Sequence, residues 1–345
     1  MTNSTPVIKK ETKNKIRVEF ERTSRWQKFK IKYLSLNFLA RVLLKIFTYV
    51  LLIGISFVIL YPFFTKIASS FMSPEDFIDT GVKLIPKYPT LNTYKQIIVQ
   101  NHYFRAMFNT ALLSLLCGII QTFICCVIGY GFAKYKFKGS GLLFALVVFT
   151  MVVPHQTIKY SMFLKFRYFD IGIFNFGILK LFGDVDGIKL TDTYIPLLML
   201  SLFGLAFKNG LYIFMMRQFF RGVPDELEES AYIDGSGVFR TFIQIILPLS
   251  VPMMITIFLF AFSWQWTDNF YTSAKMFFPS SKGMLLLSKI VTIPKTLDTN
   301  YPGGDMFSSA IRNTCGLLII APLVVVYLFC QRYLVQGIER SGITG

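Results

Sequence analysis

Glu229, Ser230 and Ala231 stand three residues before Gly235, and nine more lead to Ile245-x-Leu247-Pro248. Such a set holds no metal-ligand or nucleophile spacing; its chemistry is docking. A carboxylate offers charge to a basic partner, and two small side chains allow close backbone approach. A glycine can break one short helix so that another follows. Pro224 suits a first helical turn, and Asp225, Glu226, Glu228 and Glu229 are acids near that helix's positive end. After Gly235, Ser236 and Gly237, the residues Val238, Phe239, Phe242, Ile245 and Ile246 fall on one apolar face, opposite Arg240, Thr241 and Gln244. The predicted object is a bent helical pair lying along a membrane, with Pro248 marking the turn into the next apolar run.

Other chemistry is sparse. No GxxxxGK[ST] phosphate loop occurs, so the chain is not expected to hydrolyse ATP or to bind a cofactor. His102 and His155 are the only histidines and make no HExxH pattern. His155, beside Pro154, reads either as a helix-end histidine or as a group touching a transport path. Cys117, Cys125, Cys126, Cys315 and Cys330 lie inside apolar runs, where they read as small hydrophobes. No intramembrane carboxylate pair marks a proton-coupled carrier, and no catalytic constellation marks a membrane-embedded enzyme.

The elements that must carry the docking set follow from composition. Of 345 residues, 53% are hydrophobic and 16% charged, where soluble domains have about a quarter charged. The apolar residues form continuous runs, each long enough for a hydrocarbon core that takes roughly 20 residues to cross. The expected fold is an all-α integral membrane protein with six transmembrane helices. They fall at Val42–Phe64, Phe108–Ala133, Leu142–Ile158, Tyr194–Met216, Leu249–Trp266 and Ile311–Phe329, with a kink or partial re-entrance at Pro154. Net charge of +17 would fit nucleic acid, but the cations flank apolar spans, so membrane orientation explains them and no nucleic acid is expected. The basic N-terminal segment, Lys134, Lys136, Lys138, Arg217, Arg221 and Arg240 share one side, giving an N-in, C-in topology with the docking element cytoplasmic between spans 4 and 5. The domain plan is a basic segment (1–41), a six-span membrane domain (42–334, with its core at about 104–334 and the docking element at 224–248) and a tail (335–345). Phe20, Trp26, Phe29, Tyr33 and Leu34 among the N-terminal cations allow either an interfacial helix on anionic lipid or a basic arm that fixes topology. Connections Met72–Arg105, Lys159–Thr193 and Asn269–Ala310 would lie outside.

At this point the chain resembles a known family. Glu-Ala-Ala, three residues, Gly, nine residues and Ile-x-Leu-Pro is the signature of permease subunits of binding-protein-dependent ABC importers, here with Ser230 for the first alanine and Asp234 before Gly235. The resemblance is to the carbohydrate branch and its six-span maltose-type permease. Pro89-Thr90-Leu91-Asn92-Thr93-Tyr94, Phe104 through Asn109-Thr110, Met151 through Gln156, Trp266-Thr267-Asp268 and Gln331-Arg332-Tyr333 extend it. It implies a non-catalytic half of a transmembrane pair in a bacterial-type plasma membrane, importing a carbohydrate. It also implies as partners a second permease, two ABC ATPases that use ATP and Mg, and an extracytoplasmic sugar-binding protein. Transferred by position, Glu229 faces a basic group on the ATPase, Ser230 and Ala231 pack closely, Gly235 is the hinge with Asp234 beside it in the coupling set, and Leu247 and Pro248 anchor the loop. The Asn269–Ala310 connection would reach the binding protein. Gln121, Tyr130, Gln265, Trp266 and Asn313 are candidates for the sugar path, though for any one of them interhelical hydrogen bonding and packing is the first reading. Lys208, a cation in the fourth span, reads as snorkelling or as pointing into the path. An ion-coupled secondary transporter is the alternative.

Overall fold

The computed structural model describes residues 8–11, 15–18, 36–170, 172–173, 176–177, 187–273, 276–278 and 285–340. They divide into two units, residues 1–65 and 66–345. In the first, a short antiparallel ribbon pairs β1 (Ile8–Glu11) with β2 (Lys15–Val18). The aromatic residues on which the interfacial-helix reading rested, from Phe20 to Leu34, lie outside the described residues. Helix α1 (Leu36–Ser70) contains the first predicted span. It exposes Leu44, Phe47, Val50, Ile53 and Phe57 on every side, as lipid or another apolar surface requires.

The second unit is built from α2 (Asn92–Gln100), α3 (Tyr103–Lys134), α4 (Ser140–Val152), α5 (His155–Arg167), α6 (Ile195–Leu202), α7 (Asn209–Arg221), α8 (Glu226–Ile233), α9 (Val238–Thr241), α10 (Leu247–Trp266) and α11 (Gly304–Arg340). A two-residue ribbon, Gly172–Ile173 with Phe176–Gly177, follows α5. The chain is thus mostly helical. Among the described residues four helices are long and apolar enough to cross a membrane, or five with the α4–α5 pair taken as one. α3 is the central post. α7 and α10 pack along it, burying Cys125, Cys126, Tyr212, Met216, Phe220, Met253 and Ile257. Gly129 makes the α3–α7 approach possible, because a Cβ there would stand 2.5 Å from the Met216 Cβ. The buried cysteines are free and act as small core groups, as their apolar settings suggested.

The third predicted span does bend where Pro154 led us to expect it, α4 and α5 meeting at 101° at Val153–Pro154, where both residues are extended and proline cannot donate to a helix. Other sequence expectations change. The fourth, Tyr194–Met216, is no single helix: α6 and α7 are separated by a segment in which Gly204 (φ +70°) and Lys208 (φ +71°) are left-handed. The stretch before the second span is not all loop, since it includes α2. Nor is Asn269–Ala310 a free loop. Tyr271, Met276, Phe277, Phe278, Leu286 and Leu287 are buried, and α11 already begins at Gly304.

Candidate functional site

The predicted docking element is a helix, a glycine turn and a second helix. α8 starts after Asp225 and ends where Gly235 turns at φ +80°, with Asp234 N–H on the Ser230 carbonyl and Ser236 N–H on that of Ala231. A Cβ at Gly235 would meet nothing, so only the backbone conformation asks for glycine there. Glu229, Ser230, Asp234 and Gly235 are exposed, while Ala231 turns inward and is buried. The Ser230 hydroxyl donates to the Glu226 carbonyl (2.7 Å), which satisfies the extra polar group that serine brings in place of alanine.

The second half does not turn at Pro248. α9, a π-helical turn at Phe242–Ile246 and α10 run without interruption from Val238 to Trp266. Leu247 N–H reaches back five residues to the Phe242 carbonyl just before Pro248, which has no N–H and sits in the first turn of α10. The wider turn relieves the crowding that a proline ring imposes on the carbonyl four residues back. Leu247 is half-buried and Pro248 exposed. The predicted apolar face divides: Phe242 and Ile246 are buried, but Val238 and Phe239 precede the bundle, and Phe239 is 77% exposed. With Ile233 at 85%, it gives the exposed loop an apolar rim beside Glu229 and Asp234.

Sequence reasoning missed what holds this element in place. Lys134, the last residue of α3, is 8% exposed; its ammonium donates to the Val223 carbonyl (2.6 Å) and to Asp225, and lies 3.7 Å from Glu228 Oε1. The Tyr130 hydroxyl donates to Glu228 Oε2 at 3.1 Å, and its ring packs on Phe242 at 4.8 Å and Phe220 at 5.4 Å. The hydrogen bond from Lys134, and then its charge, hold the Asp225 carboxyl below the ordinary carboxylate range. Tyr130 therefore anchors the loop, and it lines neither of the two cavities described below. Glu228, not the motif's Glu229, is the buried acid. Nothing local in the sequence separates the two, because the partners of Glu228 lie on α3 about a hundred residues earlier.

The other path candidates are only partly gathered. Gln121 Nε2 donates to Ser201 Oγ (3.2 Å), tying α3 to α6, and Trp266 Nε1 donates to the Ile319 carbonyl (2.9 Å), tying α10 to α11. Gln265 is half-buried and its Nε2 has no partner among the described residues. Asn313 is half-buried on α11. A cavity of about 300 Å³ brings Gln121 and Gln265 together with Phe207, Trp264, Asp268 and Tyr271, without Tyr130, Trp266 or Asn313. Asp268 shapes its rim, accepting from the N–H groups of Phe270, Tyr271 and Thr272 at 2.8–3.1 Å. A larger cavity of about 1550 Å³ runs along both helix breaks and includes Pro154, His155, Gly204 and Lys208; Phe207 borders both cavities. The His155 ring is hydrogen-bonded to the Tyr271 hydroxyl, so the histidine is partnered within the fold and also faces the larger space.

Apolar spans around cavities at broken helices, with an exposed helix–turn–helix continuous with one span, define a multi-span membrane protein of the transport type. Residues 126–340 match the family model described as the binding-protein-dependent transport system inner membrane component, and the chain belongs to that family. It is accordingly a multi-pass ABC transporter permease of the bacterial plasma membrane. Protein LplC of Bacillus subtilis (strain 168) is 26% identical over 298 residues, covering 85% of this chain and 92% of its own length. The arabinooligosaccharides transport system permease protein AraQ of the same organism is 25% identical over 295 residues, covering 84% and 92%. The maltodextrin transport system permease protein MalD of Streptococcus pneumoniae (strain ATCC BAA-255 / R6) is 26% identical over 324 residues, covering 89% and 98%. In fold, the chain is similar to one from the crystal structure of a bacterial ABC transporter involved in the import of the acidic polysaccharide alginate. The TM-score is 0.62 with 18% identity, covering 91% of this chain and 99% of that one.

Proposed function

We propose that this chain is the permease subunit of an ATP-driven importer of an oligosaccharide, coupled to its ATPases through the loop at 224–248. The observation that carries the reading is the loop itself. Glu229, Ser230, Asp234 and Gly235 lie exposed at the end of an unbroken helix whose other end, at Trp264 and Gln265, borders a cavity. Similar chains named for arabinooligosaccharide and maltodextrin transport support the substrate class. In this reading α6 and α7 together form a discontinuous fourth span of six, the termini are cytoplasmic, and Glu229 meets a basic group of an ATPase. A second homologous permease completes the path, two ATPase subunits supply ATP and Mg chemistry that this chain lacks, and an extracytoplasmic binding protein delivers the sugar. This chain itself binds no cofactor.

Glu229→Lys and Gly235→Leu test the coupling in the reconstituted importer. Glu229→Lys reverses the exposed charge, and Gly235→Leu places a side chain at φ +80°, a strain of about 1–2 kcal/mol confined to the turn. Both should leave the complex in the membrane but separate ATP hydrolysis from uptake. Unimpaired sugar uptake by both overturns the coupling role, and ion-driven uptake by the chain alone, without ATP, would establish a secondary carrier instead.

A further inference from the structure

Lys208 is a cation that the loop at 224–248 does not engage, and its surroundings point to a ligand. It lies in the break between α6 and α7, in a left-handed conformation (φ +71°) that costs a side-chain-bearing residue energy and here sets its position in the cavity wall. The ammonium lies against aromatic rings. It stands 4.8 Å from the centre of the Phe207 ring and 4.9 Å from that of Trp264, over aromatic faces that line the cavities. Among the described residues no carboxylate forms an ion pair with it. The carboxylates nearby are engaged elsewhere. Asp268 is filled by three backbone N–H groups, and Asp170 has its own partners, with its carbonyl accepting from Lys165 (2.9 Å).

We propose that the large cavity takes an acidic saccharide and that Lys208 is its counter-charge. This rests on the reading of the chain as a saccharide permease and adds the charge of the substrate. A cation within a membrane domain is costly unless a pathway or an opposite charge explains it. Two aromatic rings hold one side of the ammonium and leave donors for an anion, while the same rings offer flat faces to a sugar. The backbone adds to the field. α5 begins at His155 and α7 at Asn209, so two helices of 13 residues turn their positive ends to the same cavity. Carboxylate, sulfate and phosphate saccharides share the chemistry that this arrangement recognises.

The test uses the full importer in proteoliposomes, supplied with its binding protein. A uronate oligosaccharide, a sulfated one and a neutral one of equal length are compared for uptake. Wild type should carry at least one of the acidic sugars in preference to the neutral one, and which acidic sugar is carried identifies the anion. Lys208→Met should reduce acidic uptake about tenfold or more at equal membrane abundance, and Lys208→Arg should retain most of it. Should Lys208→Met fail to assemble, the charge preference of wild type decides the matter alone. Uptake of the neutral sugar only, or acidic uptake that survives Lys208→Met undiminished, overturns the charge assignment and leaves the saccharide reading standing. Uptake of no saccharide at all overturns that reading, and the charge assignment with it.

Discussion

Lys134→Met should release the loop at 224–248 without altering the loop's own sequence. The ammonium lies 3.7 Å from Glu228 in a pair whose side chains are 8% and 11% exposed. At that separation and an effective dielectric of about 20, the attraction is of order 4 kcal/mol, offset by the desolvation of both groups. Removing one partner is worse than removing both, because it leaves Glu228 charged and nearly buried. The Tyr130 hydroxyl still donates to it, which limits the loss. Asp225 is exposed and screened, so it is left out of the sum. The net cost is about 2–3 kcal/mol, or a roughly 30- to 150-fold rise in local opening. Amide hydrogen exchange of residues 225–241 in the reconstituted complex reads this directly, against unchanged exchange in the middle of α3. Adding Glu228→Gln should recover most of the protection, since it neutralises the orphaned charge. Exchange within threefold of wild type in Lys134→Met, or simple additivity in the double variant, would refute the tether.

Three further outcomes follow from the same contacts. Gly129→Val should destabilise the complex by about 2–3 kcal/mol through overpacking, because its Cβ would meet Met216 at 2.5 Å and Arg217 N at 3.0 Å. Gly131→Ala, where nothing lies within 4 Å, should not, and thermal melts of the two variants give the comparison. Asp76 is buried and accepts from the N–H groups of Ser73, Lys87 and Tyr88 at 3.2–3.3 Å. Asp76→Ala should therefore open the turn after α1 by about 2–3 kcal/mol, seen as faster proteolytic nicking at residues 73–90. The Asp225 carboxyl is held below its ordinary value of 3.8, so the folded loop favours its charged form. That contribution is present above this value and is lost as pH falls through the lowered one. Loop protection, corrected for intrinsic exchange, should owe nothing to Asp225 titration between pH 8 and 5 and should weaken below 3.8.

Much of the framework was legible because it rests on patterns that a chain must show locally. Continuous apolar runs gave α1, α3, α10 and α11, and the end of the fifth predicted span falls on Trp266, where α10 stops. The glycine turn at 235 was legible from spacing. What sequence reasoning lost were the break in the fourth predicted span and the long-range pairs. Hydropathy averages over a window, so the six residues from Phe203 to Lys208 disappeared inside an apolar run although Gly204 and Lys208 reverse their φ angles there. Tyr130 read as a sugar-binding aromatic because its partner, Glu228, is brought beside it only by the packing of α3 against α7 and the loop that follows. Pro248 read as a turn because a proline within a helical pattern usually kinks or breaks it. Here a π-helical turn ahead of it accommodates the ring.

That last correction bears on how a loop could move a cavity wall. A turn at Pro248 would have left the docking element hinged, free to shift without disturbing the membrane domain. The observed helix is continuous for 29 residues from Val238 to Trp266, about 43 Å at 1.5 Å per residue. Such a rod carries a displacement at Phe239 to Trp264 and Gln265 unless it bends on the way. Its compliant points are the π-helical turn at Phe242–Ile246 and Pro252. The first lies near the loop and the second at the midpoint of the helix, and buried Phe242, Ile246 and Met253 hold this stretch against the core. The tether adds a second constraint, because Lys134 and Tyr130 tie α8 to the end of α3, which carries Gln121 on the opposite wall of the smaller cavity. Under the proposed coupling, a push on Glu229 would thus load α3 and α10 together, and the two walls that bear Gln121 and Gln265 would shift relative to α6 and α7. The helix breaks at Pro154 and at Gly204–Lys208 are then where the membrane domain can yield, and they border the larger cavity.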